Sequence, residues 1–164
     1  MYSREVDGQE RTFGVSGRLW HGVLVMFDRS QLHQALWKLL ENGVEHAGAE
    51  DRAPAVTLRM ERRPDTGYCI ISVEDNGAGI PEEHIGHIFE PFYTTRQQGS
   101  GLGLYVARQL CEANQAELTV DSTPGWKTRF HIRLAVARGD LGNGLNPPGF
   151  ATEQDEPAAT RSDH

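Results

Sequence analysis

The sequence predicts an α+β fold in which antiparallel pairs of strands pack against a few amphipathic helices. Strands are indicated where apolar and polar residues alternate, most clearly over residues 56–61, 68–73 and 128–136. Helices are indicated where apolar residues recur at three- and four-residue steps, over residues 32–44 and 104–111. These helices are too few to cross over between successive strands, so most strands must run antiparallel to their neighbours.

Length and composition favour one domain with a hydrophobic core and two unstructured ends. The chain has 164 residues, of which 38% are hydrophobic, and its formal net charge is -7. A negatively charged chain is a poor match for nucleic acid or for an anionic membrane surface. We expect a disordered segment over residues 1–10, a domain over 11–137, and a disordered acidic tail over 138–164.

The cellular compartment is predicted from two absences and from the cysteines. The sequence contains neither an apolar run near the roughly 20 residues of a membrane span nor a cleavable signal. Cys69 and Cys111 fall on the apolar faces of a strand and a helix without metal-ligand spacing, which indicates two buried thiols. We therefore expect a cytoplasmic location and no membrane contact by this segment.

The first predicted helix carries a polar face as well as a buried one. Two short strand candidates, 12–16 and 23–27, precede it in the manner of a hairpin, and Asp28 or Ser30 can cap its first turn. Polar side chains then fall at positions i, i+4, i+7 and i+8, so they project together from one face. These side chains are Lys38, Asn42, Glu45 and His46.

A strand that ends in a carboxylate and two glycines is the centre of the predicted site. The strand over 68–73 leads to Asp75, and Gly77 and Gly79 follow two residues apart. Because a glycine has no Cβ, the backbone there can approach a ligand closely. The pattern is also compatible with an ordinary turn in which Asp75 accepts a hydrogen bond from its own backbone. We interpret the loop as the floor of a nucleotide pocket.

A second glycine-rich stretch indicates a phosphate site. A short predicted helix over 81–88 and an aromatic-rich stretch over 89–95 precede it. Three glycines at alternate positions, within residues 99–103, then lead into the helix over 104–111. The N-terminus of a helix offers free amides and a positive dipole to a phosphate.

The sequence excludes two common nucleotide-binding motifs, the P-loop and the dinucleotide fingerprint. Residues 125–128 hold only a fragment of a P-loop and follow no suitable strand. Leu104 stands where a dinucleotide fingerprint needs its last glycine.

Four stretches together resemble the sequence boxes of sensor histidine kinases. Residues 39–47, 75–79, 88–92 and 99–104 are similar, in order and spacing, to the Asn, first glycine, Phe and second glycine boxes. The resemblance covers about residues 12–136 and is to the C-terminal catalytic, ATP-binding domain of a two-component kinase, a Bergerat-fold ATPase. It implies a two-layer α/β sandwich, with a mixed, mostly antiparallel sheet of about five strands covered on one face by about three helices.

The resemblance implies that the domain binds ATP with Mg²⁺. Phe-Tyr-Thr-Thr at residues 92–95 looks most like the nitrogen-regulation and type IV pilus sensor kinases. Asp75 would accept a hydrogen bond from the adenine 6-amino group and share an ordered water with Thr128. Gly77 and Gly79 would flank the purine. Asn42 would give a carbonyl oxygen to Mg²⁺. Further nucleotide contacts are implied for His46, Ile80, Phe89, Phe92, Thr94, Thr95, Gly99, Ser100, Gly101, Leu102, Gly103 and Leu104.

Catalytic roles are implied for Asn42, Lys38 and Arg96, and three positions depart from the family pattern. Arg96, in the loop that would cover the nucleotide, would touch the γ-phosphate. Lys38 stands where a second Asn is usual; we interpret it as a phosphate contact, with a solvated surface residue as the alternative. Glu45 replaces a usual Lys or Arg and would repel the nucleotide unless it pairs with Lys38. Lys127 replaces the second glycine of the last glycine box, which stiffens that turn.

The family's phosphoacceptor, a His followed by an acid on a dimerisation helix, is missing from this sequence. The seven histidines are His21, His33, His46, His84, His87, His131 and His164. We expect His84 and His87 to be solvated rather than metal-bound. The implied partners are therefore the dimerisation and histidine-phosphotransfer domain of the same or a partner kinase, and a response regulator downstream.

Several alternatives remain open from the sequence. Gyrase-like and chaperone ATPases hydrolyse ATP with a Glu one turn before the Asn, but Lys38 occupies that place. An anti-sigma-factor type of serine kinase is a second alternative. A degenerate, non-catalytic domain is a third, because Lys38, Glu45 and Lys127 are off pattern. Phe89 and Phe92 can be core aromatics under the lid or gating residues.

Overall fold

The computed structural model describes most of the chain up to residue 137. The described ranges are 2–6, 9–15, 24–49, 51–63, 66–96 and 99–137. Within them the chain forms β1 (Tyr2–Val6), β2 (Gln9–Val15), α1 (Arg29–His46), β3 (Val56–Arg63), β4 (Tyr68–Asp75), α2 (Glu82–Ile85), α3 (Gly103–Ala113), β5 (Glu117–Thr123) and β6 (Lys127–Ala135). The predicted tail over 138–164 lies outside the described residues.

One mixed sheet organises the domain. Its strand order is β1-β2-β3-β4-β6-β5, and every neighbouring pair is antiparallel except β2 and β3, which are parallel. The predicted α+β class with a mixed, mostly antiparallel sheet is confirmed. The sheet has six strands rather than about five because residues 2–6, predicted to be disordered, pair with β2.

The predicted hairpin before the first helix is wrong. Residues 12–15 belong to β2, which pairs with β1 and β3. Of the second candidate, 23–27, the described residues contribute only a single bridge between Val25 and Val136. β2 takes its partners from β1, which directly precedes it, and from β3, and Val25 pairs with a residue near the end of the domain, so the local turn signal does not report any of these pairings.

The core lies between the sheet and the two longer helices. Alternate residues of β4 and β6 point towards the helices because successive side chains of a strand alternate between its faces. The largest fully buried side chains are Leu39, Cys69, Val73, Cys111, Phe130, Ile132 and Leu134. Both cysteines are buried free thiols, as predicted, and burial raises the pKa of each, that of Cys111 to about 11.

The start of α1 is fixed by two caps. Asp28 is the N-cap, and its Oδ1 accepts a hydrogen bond from the amide of Gln31 at 2.9 Å. Asn114, just after α3, accepts from the amide of Asp28 at 2.8 Å and donates to the side chain of Gln31 at 2.6 Å. The first turn of α1 is therefore tied to the end of α3. In the described part of the chain, the helices lack the length and apolar character needed to cross a membrane.

Candidate functional site

A cavity of about 680 Å³ lies between α1, the loop after β4, residues 93–96 and 99–101, and the start of α3. Most residues predicted for the site line it. They are Lys38, Asn42, His46, Asp75, Gly79, Ile80, Thr94, Thr95, Arg96, Gly99, Ser100, Gly101, Leu102, Gly103, Leu104 and Thr128. Three predicted residues, Gly77, Phe89 and Phe92, are not part of the lining. The cavity has two chemically different ends.

The sheet end of the cavity consists of Asp75, Gly79, Ile80 and Thr128. Asp75 is the last residue of β4, lies opposite Thr128 of β6, and is only 2% exposed. Its Oδ1 accepts a hydrogen bond from the amide of Gly77 at 2.9 Å. Burial raises the pKa of Asp75 to about 6, although the Gly77 amide favours the ionised form. The sheet end thus offers one buried acceptor that is ionised at neutral pH.

Close packing against neighbouring backbone explains why the loop after β4 requires glycine at positions 77 and 79. A Cβ on Gly77 would lie 2.0 Å from the carbonyl oxygen of His46, the last residue of α1. A Cβ on Gly79 would lie 2.3 Å from the carbonyl oxygen of Thr123, and its φ of +72° disfavours a side chain as well. Gly79 lines the cavity as predicted. Gly77 instead allows the loop to pack beneath α1.

Two polar residues that sequence analysis missed hold the sheet end in place. The Asn76 side chain accepts hydrogen bonds from the amides of Gly48 (3.0 Å) and Ala55 (2.8 Å), and it donates to the carbonyl of Ala53. Ser122 accepts from the amide of Ile80 at 2.7 Å. An Asn within a turn is a recognisable signal for bonding to backbone, whereas the Ser122 contact joins residues far apart in sequence.

The loop end of the cavity consists of Lys38, Asn42, Glu45, Arg96 and residues 99–103. The first three project from α1 into the cavity lining together with His46, as their spacing predicts. Two ion pairs lie here: Lys38 Nζ is 3.1 Å from Glu41, and the Arg96 guanidinium is 3.1 Å from Glu45. Glu45 therefore does not pair with Lys38, the condition that sequence analysis set for it not to repel a nucleotide, but pairs with Arg96 instead.

The second glycine loop turns sharply before α3. Gly101 has a φ of +65°, and a Cβ there would lie 2.4 Å from the carbonyl carbon of Phe92. The amide of Phe92 donates to the carbonyl of Gly101 at 3.0 Å. Gly103 then begins the 11-residue helix α3 at the cavity wall. The first turn of a helix carries unpaired amides and partial positive charge, which favour an anion.

The three aromatic residues before this loop lie in three different environments. Phe89 packs against the core, with its ring 6.3 Å from that of Phe130, so the core interpretation holds for it. Phe92 is 73% exposed with a φ of +66°, so it is not a core residue. Tyr93 lines the cavity, and a 2.6 Å hydrogen bond joins its hydroxyl to Nδ1 of His84. Sequence analysis did not predict this contact between a loop and α2.

Lys127, the third residue that departs from the family pattern, lies away from the cavity. Thr128 is buried at the sheet end, whereas the neighbouring Lys127 points to the opposite face of β6 and pairs with Glu74 at 3.4 Å. The turn before it is held by Arg52, which donates to the carbonyls of Gly125 and Trp126 at 2.9 Å each. Lys127 is absent from the cavity lining, so its replacement of a glycine leaves the cavity open.

Comparison with known proteins places the chain in a family. Residues 27–138 match the family described as histidine kinase-, DNA gyrase B- and HSP90-like ATPase. Sensor protein kinase PilS of Pseudomonas aeruginosa is 40% identical over 116 residues, which are 71% of this chain and 22% of PilS. Sporulation kinase C of Bacillus subtilis is 31% identical over 115 residues, which are 70% of this chain and 26% of the kinase. This chain thus spans about a quarter of the length of these relatives.

Solved structures show the same relationship. The mycobacterial sensor histidine kinase MprB superposes with a TM-score of 0.63 at 28% identity, covering 76% of this chain and 80% of that chain. Full-length ShkA in complex with AMPPNP superposes with a TM-score of 0.61 at 28% identity, covering 76% of this chain and 25% of ShkA. The chain belongs to the histidine kinase-, DNA gyrase B- and HSP90-like ATPases, and its domain is the catalytic, ATP-binding domain of sensor histidine kinases.

Proposed function

We propose that this domain binds Mg-ATP and presents the γ-phosphate to a histidine of a separate dimerisation and histidine-phosphotransfer domain, in the same or a partner kinase. That domain would then pass the phosphate to a response regulator. The observation that carries the proposal is the asymmetry of the cavity. A buried carboxylate at the sheet end suits a base, while cations and a helix N-terminus at the loop end suit phosphates.

Adenine recognition rests on Asp75. Its carboxylate can accept a hydrogen bond from the 6-amino group of adenine, directly and through a water shared with Thr128. Guanine would place a carbonyl oxygen against the same carboxylate, and a buried acceptor without a donor is costly. The 2% exposure of Asp75 makes this discrimination strong, because water cannot substitute for the missing donor.

The residues at the loop end fit a magnesium ion that is bound mainly by the nucleotide. Asn42 is half-buried in the cavity wall, and its side-chain amide makes no hydrogen bond to another described residue. Across the described ranges, no cluster of three or more His, Cys, Asp or Glu could form a metal site of its own. Asn42 would therefore hold Mg²⁺ together with phosphate oxygens and waters, and the ion would neutralise phosphate charge.

The domain's own contribution to catalysis is positioning. Arg96 and the amides of residues 99–103 would orient the phosphates, and Lys38 would add a positive charge beside them. Lys38 also occupies the place where the hydrolytic relatives carry a Glu, so slow ATP hydrolysis is expected. None of the histidines is followed by an acid, so the attacking nitrogen would come from the partner domain. A cytoplasmic location is part of this proposal, because ATP and two free thiols fit that compartment.

The proposal is tested by calorimetric titration of the chain with ADP and a non-hydrolysable ATP analogue, with and without Mg²⁺, and with the GTP analogue as control. We expect micromolar, adenine-selective binding that Mg²⁺ strengthens. Asn42→Ala should remove the magnesium dependence while leaving adenine selectivity intact. Absence of binding by a folded sample would favour a degenerate domain, and steady ATP turnover or transfer to serine would favour one of the rival enzyme classes.

A further inference from the structure

The ion pair between Glu45 and Arg96 crosses the loop end of the cavity. Glu45 belongs to the last turn of α1, and Arg96 belongs to the loop on the other side of the cavity. Their charged groups are 3.1 Å apart, and both residues line the cavity. The side chains are 42% and 35% exposed, so the pair is in contact with solvent and can exchange partners.

A carboxylate and a terminal phosphate offer the same chemistry to a guanidinium group. Both are anions with two or more oxygens that accept parallel hydrogen bonds from an arginine. Glu45 is therefore already paired with Arg96, the cation that the proposed function assigns to the γ-phosphate. Binding of ATP would move Arg96 from the carboxylate to the phosphate. ADP has no γ-phosphate, so it would leave the pair between Glu45 and Arg96 intact.

We propose that Glu45 is a specificity-determining residue that competes with the γ-phosphate for Arg96 and so lowers the preference of the site for ATP over ADP. This inference rests on the proposed function, because it requires a nucleotide in the cavity. The second ion pair of α1 does not perform this role, since Lys38 and Glu41 both belong to the helix and their contact does not span the cavity.

A simpler electrostatic effect must be separated from this competition. Glu45 would also repel any phosphate through its charge, whether or not Arg96 is present. Competition requires Arg96, whereas repulsion does not, so a double-mutant cycle distinguishes them. The four proteins are wild type, Glu45→Gln, Arg96→Gln and the double variant. Glu112→Gln is the matched control, because it removes the same charge and breaks another exposed ion pair. That pair joins Glu112 to Arg108, whose charged groups are 2.9 Å apart, and neither residue lines the cavity.

The experiment measures the Kd of each protein for ADP and for the non-hydrolysable ATP analogue, at saturating Mg²⁺ and at low and high salt. Glu45→Gln should bind the ATP analogue about two- to fivefold more tightly, as expected for release of an exposed ion pair, with little change for ADP. Arg96→Gln should bind the ATP analogue about tenfold or more weakly. In the Arg96→Gln background, Glu45→Gln should have no further effect, and Glu112→Gln should resemble wild type.

Three results would overturn the inference while leaving the proposed function standing. These are equal tightening for ADP and the ATP analogue, an effect of Glu45→Gln that persists without Arg96, and unchanged binding in Glu45→Gln. Failure of the wild-type protein to bind either nucleotide would instead overturn the proposed function, and this inference with it.

Discussion

The two ends of the cavity are built on different physical principles. At the sheet end, Asp75 and Thr128 are buried on paired strands, and backbone atoms crowd Gly79 so closely that no side chain fits. At the loop end, Glu45 and Arg96 meet through a partly exposed ion pair. One end therefore has a shape that cannot adjust without unfolding, and the other has charges that can change partners at small cost.

This difference between the two ends suits the proposed function, in which one end selects the base and the other binds and releases phosphate groups. Base selection requires a fixed acceptor, because discrimination by an unpaired buried group is lost if the group can move to water. Binding and release of phosphate groups require contacts that break easily, and exposed ion pairs have that property. We expect substitutions at the sheet end to alter both folding and recognition, and substitutions at the loop end to alter affinity with little effect on folding.

The largest expected effect is the loss of folding stability in Gly77→Ala. The new Cβ would lie 2.0 Å from the carbonyl oxygen of His46. The Cβ is attached directly to one stretch of backbone and the oxygen belongs to another, so neither can shift freely. We expect the free energy of unfolding to fall by about 3 kcal/mol or more, as measured by urea denaturation.

Gly103→Ala is the matched control at the loop end. Beyond its chain neighbours and its own helix backbone, no heavy atom of the described residues lies within 4 Å of its Cβ position, and Gly103 begins α3, where alanine is the better helix former. This variant should be unchanged or more stable by up to about 1 kcal/mol. Equal destabilisation by the two substitutions would contradict the contrast between the two ends.

Asp75→Asn separates recognition from stability. The neutral amide keeps an acceptor for Gly77 but has lost the charge that adenine recognition requires, so binding of the ATP analogue should weaken about 10- to 100-fold. Because burial penalises the charge of Asp75, the nucleotide-free variant should be about 1–3 kcal/mol more stable at pH 7.5. Calorimetric titration and urea denaturation measure the two effects, and a variant that binds normally would rule out the assigned role of Asp75.

The pKa of Asp75 predicts opposite pH dependences for folding and binding. Its folded value of about 6 lies above its ordinary value of 3.8, so the neutral form is favoured by folding. The contribution of Asp75 to stability is thus complete below about pH 4 and is lost as the pH rises through about 6. The proposed adenine contact uses the ionised carboxylate, so affinity should fall by up to about tenfold per pH unit below 6.

Calorimetry in buffers of different ionisation enthalpy measures the proton released on binding near pH 6. Saturating Mg²⁺ keeps the nucleotide phosphates ionised during this measurement. Affinity that is constant from pH 5 to pH 8 would show that Asp75 does not titrate in the nucleotide-free domain.

Much of the site was predictable because local spacing places its residues. The positions of Lys38, Asn42, Glu45 and His46 on one helix follow from the period of 3.6 residues, and all four line the cavity. The cap at Asp28 follows from the chemistry of helix termini, and the structure has it there.

The parts that were not predictable depend on contacts between distant residues. β2 runs parallel to β3 across about 40 intervening positions. Residues 2–6 are the exception, since they pair with the neighbouring β2 but lack the apolar alternation that predicts a strand. Spacing on α1 also predicts that Glu45 lies on the polar face with Lys38, but not that Arg96 is the cation that pairs with it. Gly77 was assigned to the ligand, whereas the atom that requires a glycine there belongs to His46.

Asn114 has a consequence for the construction of chimaeric kinases. Because it bonds to both Asp28 and Gln31, the helix that carries Asn42 and the helix that begins at Gly103 are joined at one point. A fusion junction placed before β1 keeps these three residues and the whole sheet together, so a foreign module attached there should leave the site intact. A junction inside the first turn of α1 would separate Asn114 from its partners, and the site would then be disturbed for a reason unrelated to the transplanted module.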